Sequence, residues 1–379
     1  MTDTPVHGTV ESGFEPVFDA FARGFENGEL GAAVSAYVDG CKVVDLWGGW
    51  ADADRTREWQ PDTIVATYSA TKGMTATCAH RLVDRGLLDV DEPVATYWPE
   101  FAQAGKDKIT VRMVLSHQAG LTRPTALDGA SSEWTAGMAI APQKRFDWET
   151  ITDALARSAP VWGPGTRSEY HGGTFGYLVG EVVRRIDGRS LDTFFREEIA
   201  EPLGADFMIA FGPEHDPRCA EVIGDDGMGA RRRGRTGPWI RSGHLVWVNV
   251  NSRVWRAAGD GASTGHGTAD SLARVYAALA GGGELEGVQV LRADTVEAAS
   301  QEQRLLHADG TAGEFGLGYA LLWKIFPFGT HRPFGHAGAG GSMGLADPAK
   351  RLGFGYVMNK MHSGLADDLL PAIYRALAG

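Results

Sequence analysis

The fold turns on the stretch Ile64-Val65-Ala66-Thr67-Tyr68-Ser69-Ala70-Thr71-Lys72-Gly73-Met74. Ile64–Tyr68 is a short β-prone run, and from Ser69 to about Asp84 the residues Met74, Cys78 and Leu82 fall on one helical stripe. An extended segment therefore feeds a helix that starts at Ser69. That start contains Ser69-Ala70-Thr71-Lys72. A serine hydroxyl is a weak nucleophile at neutral pH and needs a base beside it. Residues i and i+3 of a helix lie on one face within contact range. A partly buried lysine, particularly beside another cation, loses enough proton affinity to act as that base. The exposed N–H groups and positive dipole end of a helix start also favour an oxyanion at Ser69. The pattern is short, and a helix cap followed by a surface lysine produces it equally well. Its meaning rests on what the rest of the chain supplies.

Upstream, Phe14, Val17, Phe18, Phe21 and Phe25 recur at three- and four-residue spacing and predict a helix over 13–27. Ala32–Val38 and Cys41–Trp47 flank Asp39-Gly40, a hairpin signal because both turn residues must tolerate positive φ. Downstream, residues 90–165 are rich in Pro, Trp and short helical segments. Phe175, Leu178, Val179, Val182, Val183 and Ile186 share a face in a helix over Gly172–Ile186, with Gly188 after its end. Residues 212–262 read as long loops around a site, and Asp270–Ala280 as a helix. Strands are predicted at Leu317–Trp323, Arg332–Ala337, Ser342–Ala346 and Leu352–Asn359, then a final helix at about Leu365–Ala378. Strand-rich ends bracket a helical middle. This is an α+β plan, an antiparallel sheet with the terminal helices over one face.

Two further motifs carry chemistry. Tyr170-His171-Gly172 follows the loop Trp162-Gly163-Pro164-Gly165-Thr166. A tyrosine near a lysine can relay a proton, as general base and then general acid. Taken alone it is equally a core tyrosine with a satisfied hydroxyl. His336-Ala337-Gly338-Ala339 lies on or beside a predicted strand. Its small residues let a substrate approach the backbone, and the Ala339 N–H is a candidate second oxyanion donor opposite that of Ser69.

The order and spacing of these three motifs resemble those of the serine β-lactamase and penicillin-binding-protein superfamily, for which Ser-x-x-Lys is a known signature. The resemblance is strongest to the class C β-lactamase-like branch, and within it to family VIII carboxylesterases. Leu115-Ser116-His117-Gln118-Ala119-Gly120-Leu121, Leu87-Leu88-Asp89-Val90-Asp91-Glu92-Pro93-Val94 and Glu201-Pro202-Leu203-Gly204 resemble further family segments, so the likeness runs from about residue 15 to 375. It implies a β-lactamase/transpeptidase-like fold. An α/β domain would be built from 1–68 and 262–379, a helical domain with long loops from 69–261, and the site would lie in the cleft between them. It implies Ser69 as acylated nucleophile, Lys72 and Tyr170 as the proton-transfer pair, and His117 as a packing residue.

Two departures bear on substrate. Where the β-lactamases usually end the second motif in Asn, this chain has Gly172; where they usually have Lys-Thr-Gly, it has His336-Ala337-Gly338. A cation and a hydroxyl that would meet a substrate carboxylate are missing, which points to uncharged esters. The expected activity is that of a carboxylesterase on small to medium esters. Acyl transfer, β-lactam or D-amino-acid peptide hydrolysis, and a catalytically silent binding protein on the same fold are the alternatives. Gly340-Gly341-Ser342-Met343-Gly344 matches the Gly-x-Ser-x-Gly nucleophile elbow, but that elbow needs a helix after the serine. Here a turn and the strand Leu352–Asn359 follow, and His362 is the sole histidine after it. Ser342 is expected to join two strands.

The remaining composition is ordinary. Of 379 residues 43% are apolar and 22% charged, as in a soluble globular protein. A net charge of −12 argues against broad nucleic-acid binding. The cluster Arg231, Arg232, Arg233 and Arg235, among Gly227, Gly229, Gly234 and Gly237, reads as a solvated loop. No run approaches the roughly 20 apolar residues of a membrane helix. The polar start Met1-Thr2-Asp3-Thr4-Pro5-Val6-His7 lacks a secretory pattern, so a cytoplasmic location is expected. Cys41, Cys78 and Cys219 form no disulfide framework and no metal motif, and Cys78 reads as core. The scattered histidines suggest no metal site, and no cofactor is expected. Trp47, Trp50, Trp134, Trp239, Trp247, Trp255 and Trp323 are core by default, with some as candidates to line an apolar pocket.

Overall fold

The chain opens with strand β1 (Val6–Val10), which the sequence reading did not anticipate, and helix α1 (Glu15–Glu26). The computed structural model describes residues 4–126, 146–224, 250–303, 310, 313–326, 331–361 and 364–378. The arginine cluster at 231–235 with its glycines, Trp134, Trp239, Trp247 and His362 lie outside them. Asp39 and Gly40 take φ values of 50° and 78°, the left-handed pair that a two-residue hairpin turn requires. They join β2 (Gly31–Val38) to β3 (Cys41–Gly49).

Three short strands, β4 (Val65–Ala66), β5 (Phe207–Met208) and β6 (His266–Gly267), make a small sheet in the order β4-β6-β5. A minor hairpin pairs β7 (Glu284–Leu285) with β8 (Val288–Gln289). The last strands, β9 (Phe334–Ala337), β10 (Met343–Asp347) and β11 (Leu352–Met358), return to the first ones. The large sheet has the order β1-β3-β2-β11-β10-β9, every pair antiparallel, with β11 beside β2 in the register Ala32↔Met358 to Val38↔Leu352.

Among the described residues, five helices of ten residues or more follow α1: α2 (Thr71–Asp84), α3 (Trp148–Arg157), α4 (Thr174–Asp187), α5 (Ala269–Ala280) and α6 (Ala366–Ala376). Helices α1 and α6 lie together on one face of the sheet, where Val17, Phe21, Leu369 and Ile373 meet Val34, Leu345 and Phe354. Helix α5 covers the other face, against β2, β10 and β11. With both faces covered, β2 and β11 are continuously buried rather than alternating. Helix α2 is buried from Thr71 to His80 and again at Leu82. Met74, Cys78 and Leu82 are in the core as the stripe indicates, and Gly73, Ala76 and Ala79 let neighbours close in on its other sides. Among the described residues, no helix is long and apolar enough to cross a membrane.

One expected strand does not form. Leu317–Trp323 is a bend at 316–319 followed by a short helix at Leu322–Ile325, with Ala320 bridging to Phe315 and Gly335. Gly318 takes φ +88° and sits where a Cβ would lie 2.5 Å from Cβ of Ala76. The chain is pressed onto α2 there and is not free to extend. The start of α2 also differs in detail: Tyr68–Ala70 is a 3₁₀ turn, and regular α-helix begins at Thr71.

Candidate active site

Strand β4 delivers the chain to the 3₁₀ turn at Tyr68–Ala70. Tyr68 has φ +47°, a left-handed conformation unusual for a bulky side chain. Buried interactions hold it there. Thr67 N donates to the Gly265 carbonyl at 2.8 Å, Thr71 Oγ1 to the Tyr68 carbonyl at 2.6 Å, and the Tyr68 ring packs edge-on against Trp255 at 6.1 Å. Ser69 therefore sits on a locked corner between strand and helix.

One turn later Lys72 is completely buried. Its Nζ donates to Ser69 Oγ at 3.3 Å and to the Ala262 carbonyl at 2.9 Å. Among the described residues it has no carboxylate in contact. Burial pulls its pKa down to about 7, with the charge of Asp260 opposing part of that shift. The lysine is thus divided between amine and ammonium at neutral pH.

Tyr170 approaches from the loop before α4. Lys72 Nζ stands 4.9 Å from its ring centroid, and the Ser69 hydroxyl is near enough to its phenol to act on it. Burial pushes the Tyr170 phenol well above its ordinary pKa, opposed by the Ser69 hydroxyl, so it carries its proton at neutral pH. Its ring stacks on Phe315 at 5.9 Å and packs against His117 at 5.1 Å. His117, itself at φ +61°, accepts the His171 N–H through Nδ1 at 3.1 Å. His171 Nε2 accepts the Leu121 N–H at 3.0 Å, so its proton is on Nδ1, donated to the Glu169 carbonyl at 2.7 Å. The two histidines fix the backbone that carries Tyr170, in keeping with a packing role for His117.

The edge strand β9 packs against the 3₁₀ turn at Tyr68–Ala70. His336, on β9, is buried with its ring 6.0 Å from that of Tyr170. Desolvation first, then the nearby Lys72, lowers its pKa to about 3, with the Ala337 carbonyl opposing. It is a neutral imidazole, not a replacement for a lysine charge. Gly338 lies where a Cβ would be 2.1 Å from the Thr67 carbonyl oxygen and 2.2 Å from Ser342 Oγ. Only glycine lets this strand end meet the residues just before Ser69. Ala339 follows in the turn between β9 and β10.

The structure brings Ser69, Lys72, Tyr170, His336 and Gly338 together and places Ala339 at the adjoining turn. Ser342 is turned to the backbone before Ser69. It is fully buried, and its Oγ donates to the Thr67 carbonyl at 2.8 Å. Strand β10 and a 3₁₀ turn follow it instead of a helix. Sequence reasoning missed Asp260, whose only signal is Asp-Gly followed by Ser263 and Thr264, an Asx-turn pattern. It also missed Ala262, whose carbonyl meets a lysine 190 residues earlier. Among the described residues, no group of three or more His, Cys, Asp or Glu side chains could hold a metal ion.

A serine paired with a buried lysine on a central helix, between that helix and the edge of an antiparallel sheet, defines the class. The Beta-lactamase family profile matches residues 17–378, and the chain belongs to that family. Its similarity to individual members is extensive. Esterase/beta-lactamase LipL of Mycobacterium tuberculosis is 37% identical over 377 residues, spanning 95% of this chain and 84% of that protein. The solved structure of a family VIII carboxylesterase matches with a TM-score of 0.86 at 37% identity, covering 98% of this chain and 100% of that one. A penicillin-binding protein homolog from Caulobacter crescentus matches with a TM-score of 0.85 at 35% identity, over 98% and 100% of the two chains.

Proposed function

We propose that this protein is a serine carboxylesterase that cleaves small to medium uncharged esters through an acyl-Ser69 intermediate. The observation that carries this reading is Lys72, fully buried, 3.3 Å from Ser69 Oγ and with its pKa drawn down to about 7. Its amine takes the Ser69 proton as Oγ bonds to the ester carbonyl carbon. The backbone N–H groups of Ser69 and Ala339 hold the resulting oxyanion. As the ester C–O bond breaks, the Tyr170 phenol protonates the departing alkoxide, and the Lys72 ammonium returns a proton to the tyrosine. In the second half, water adds to the acyl carbon, its proton passes to the Lys72–Tyr170 pair, and Ser69 leaves with a proton regained.

Neutral His336 and Gly172 support an ester over a β-lactam. The third-motif position holds no cation for a substrate carboxylate, and the second-motif position has no amide for an acyl side chain. The esterase names among the similar proteins point the same way.

The test is turnover of p-nitrophenyl acetate and butyrate. Ser69→Ala should abolish it, and Ser342→Ala should leave catalysis measurable at lower stability. Activity that survives Ser69→Ala and vanishes in Ser342→Ala would overturn the assignment. One relative's name couples esterase with β-lactamase, so nitrocefin belongs in the same assay; turnover of nitrocefin faster than of the esters would make β-lactam hydrolysis the main activity.

A further inference from the structure

The loop that meets Lys72 is organised around one carboxylate. Asp260 is 4% exposed. Its Oδ1 accepts the backbone N–H groups of Ala262 and Ser263, each at 2.7 Å, and of Thr264 at 3.1 Å, and its Oδ2 accepts the Ser263 hydroxyl at 2.5 Å. Among the described residues it has no Lys, Arg or His in ion-pair contact. These hydrogen bonds satisfy the carboxylate, and in so buried a setting its charge acts strongly on nearby groups.

The geometry shows which group feels it. The Ala262–Ser263 peptide lies between Asp260 and Lys72. Its N–H, on Ser263, points at Asp260 Oδ1, and its carbonyl, on Ala262, accepts from Lys72 Nζ at 2.9 Å. A peptide with an anion on its N–H side presents a more negative carbonyl oxygen on the other. The loop is clamped on both sides. Thr75 Oγ1 of α2 donates to the Gly261 carbonyl at 2.7 Å, and Gly265 N donates to Thr71 Oγ1 at 3.0 Å. On the opposite side Gly176 of α4 leaves a notch: a Cβ there would lie 2.0 Å from the Asp260 carbonyl oxygen. The peptide therefore keeps its orientation towards Lys72.

We propose that Asp260 is a positioning residue of the acylation site, fixing the Ala262 carbonyl against Lys72 and supplying, across one peptide, the negative charge that the lysine senses. Its effect on Lys72 has the sign this requires, since the Asp260 charge raises the proton affinity that burial lowers. Among the described residues, the other titratable groups around Lys72 are Tyr170, from the loop before α4, and His336, from β9. Both are neutral at pH 7 because burial moves each away from its charged form. Asp260 is then the carboxylate that keeps Lys72 from becoming a free amine far below neutrality.

The proposal rests on acyl transfer through Ser69, so the experiment reads Ser69 itself. The rate of covalent labelling by a fluorophosphonate, with the adduct located by mass spectrometry, is followed from about pH 5 to about pH 9 in wild type and Asp260→Asn. In wild type the labelling rate should climb with an acid limb near the Lys72 value of about 7. In Asp260→Asn, which keeps the shape and loses the charge, that limb should move to lower pH by about one unit. Should circular dichroism show that Asp260→Asn does not fold, Asp260→Ser, smaller and uncharged, takes its place with the same expected shift. An uncharged variant that labels Ser69 on the wild-type limb, merely more slowly at every pH, overturns the proposal and leaves Asp260 as loop structure. Wild-type protein that takes no label at Ser69 overturns the esterase reading, and this inference with it.

Discussion

Lys72 costs the fold something that its chemistry requires. An ammonium with a folded pKa near 7, against about 10.4 in an unfolded chain, binds its proton less readily when folded. Between those values the unfolded state holds more protons, so stability rises with pH across this window, and below it the full burden of burial is present. Lys72→Met should therefore be inactive yet more resistant to urea than wild type at pH 6, with the gap closing as pH rises towards 10. Equal stability of the two proteins at every pH would contradict this account. Tyr276 poses a related question. Its hydroxyl is buried, faces Gly73, the neighbour of Lys72, and has no hydrogen-bond partner among the described residues. Tyr276→Phe should raise stability by about 1 kcal/mol, read from the urea midpoint, with esterase turnover unchanged.

At the scale of elements, the site depends on how closely β9 can meet the turn at Tyr68–Ala70. Gly338→Ala would drive a methyl group into the Thr67 carbonyl and Ser342 Oγ. The corner carrying Ser69 would shift, and a displacement of about 1 Å at a reacting atom is enough to lower kcat about 100-fold. Steady-state kinetics on p-nitrophenyl butyrate should show that loss in kcat with a folded circular dichroism spectrum; unchanged kcat would mean the two elements are not rigidly coupled. Much of this scale was legible in advance. Asp39-Gly40 marks its hairpin, α1 and α4 follow their apolar spacing to within two residues at each end, and α5 keeps its expected range to within one. Leu317–Trp323 was misread because periodicity cannot show that α2 crowds Gly318. Strand β1 was overlooked because its middle three residues are exposed, so it carries no apolar alternation. Ser69, Lys72 and Tyr170 could be proposed from local patterns. Asp260 could not, because its meaning lies in a peptide touching a lysine on a different element.

The whole molecule is closed by its last strands. β11 enters between β2 and β10, and Ser342 Oγ bonds the carbonyl of Thr67, a residue 275 positions earlier in the chain. That bond joins segments that a ribosome makes far apart in time. A ribosome that has made Ser69, Lys72 and Tyr170 has made the proposed nucleophile and its proton-transfer pair, yet the Ala339 N–H and the bond from Ser342 to the corner come only with the β9–β10 turn, and β10 lacks its second neighbour until β11 emerges. Stalled nascent chains ending at residue 340 should take no fluorophosphonate label, whereas chains carrying all 379 residues beyond the exit tunnel should. The expected consequence is that Ser69 gains reactivity only after the closing strands emerge, and that a partly made polypeptide carries its nucleophile disarmed.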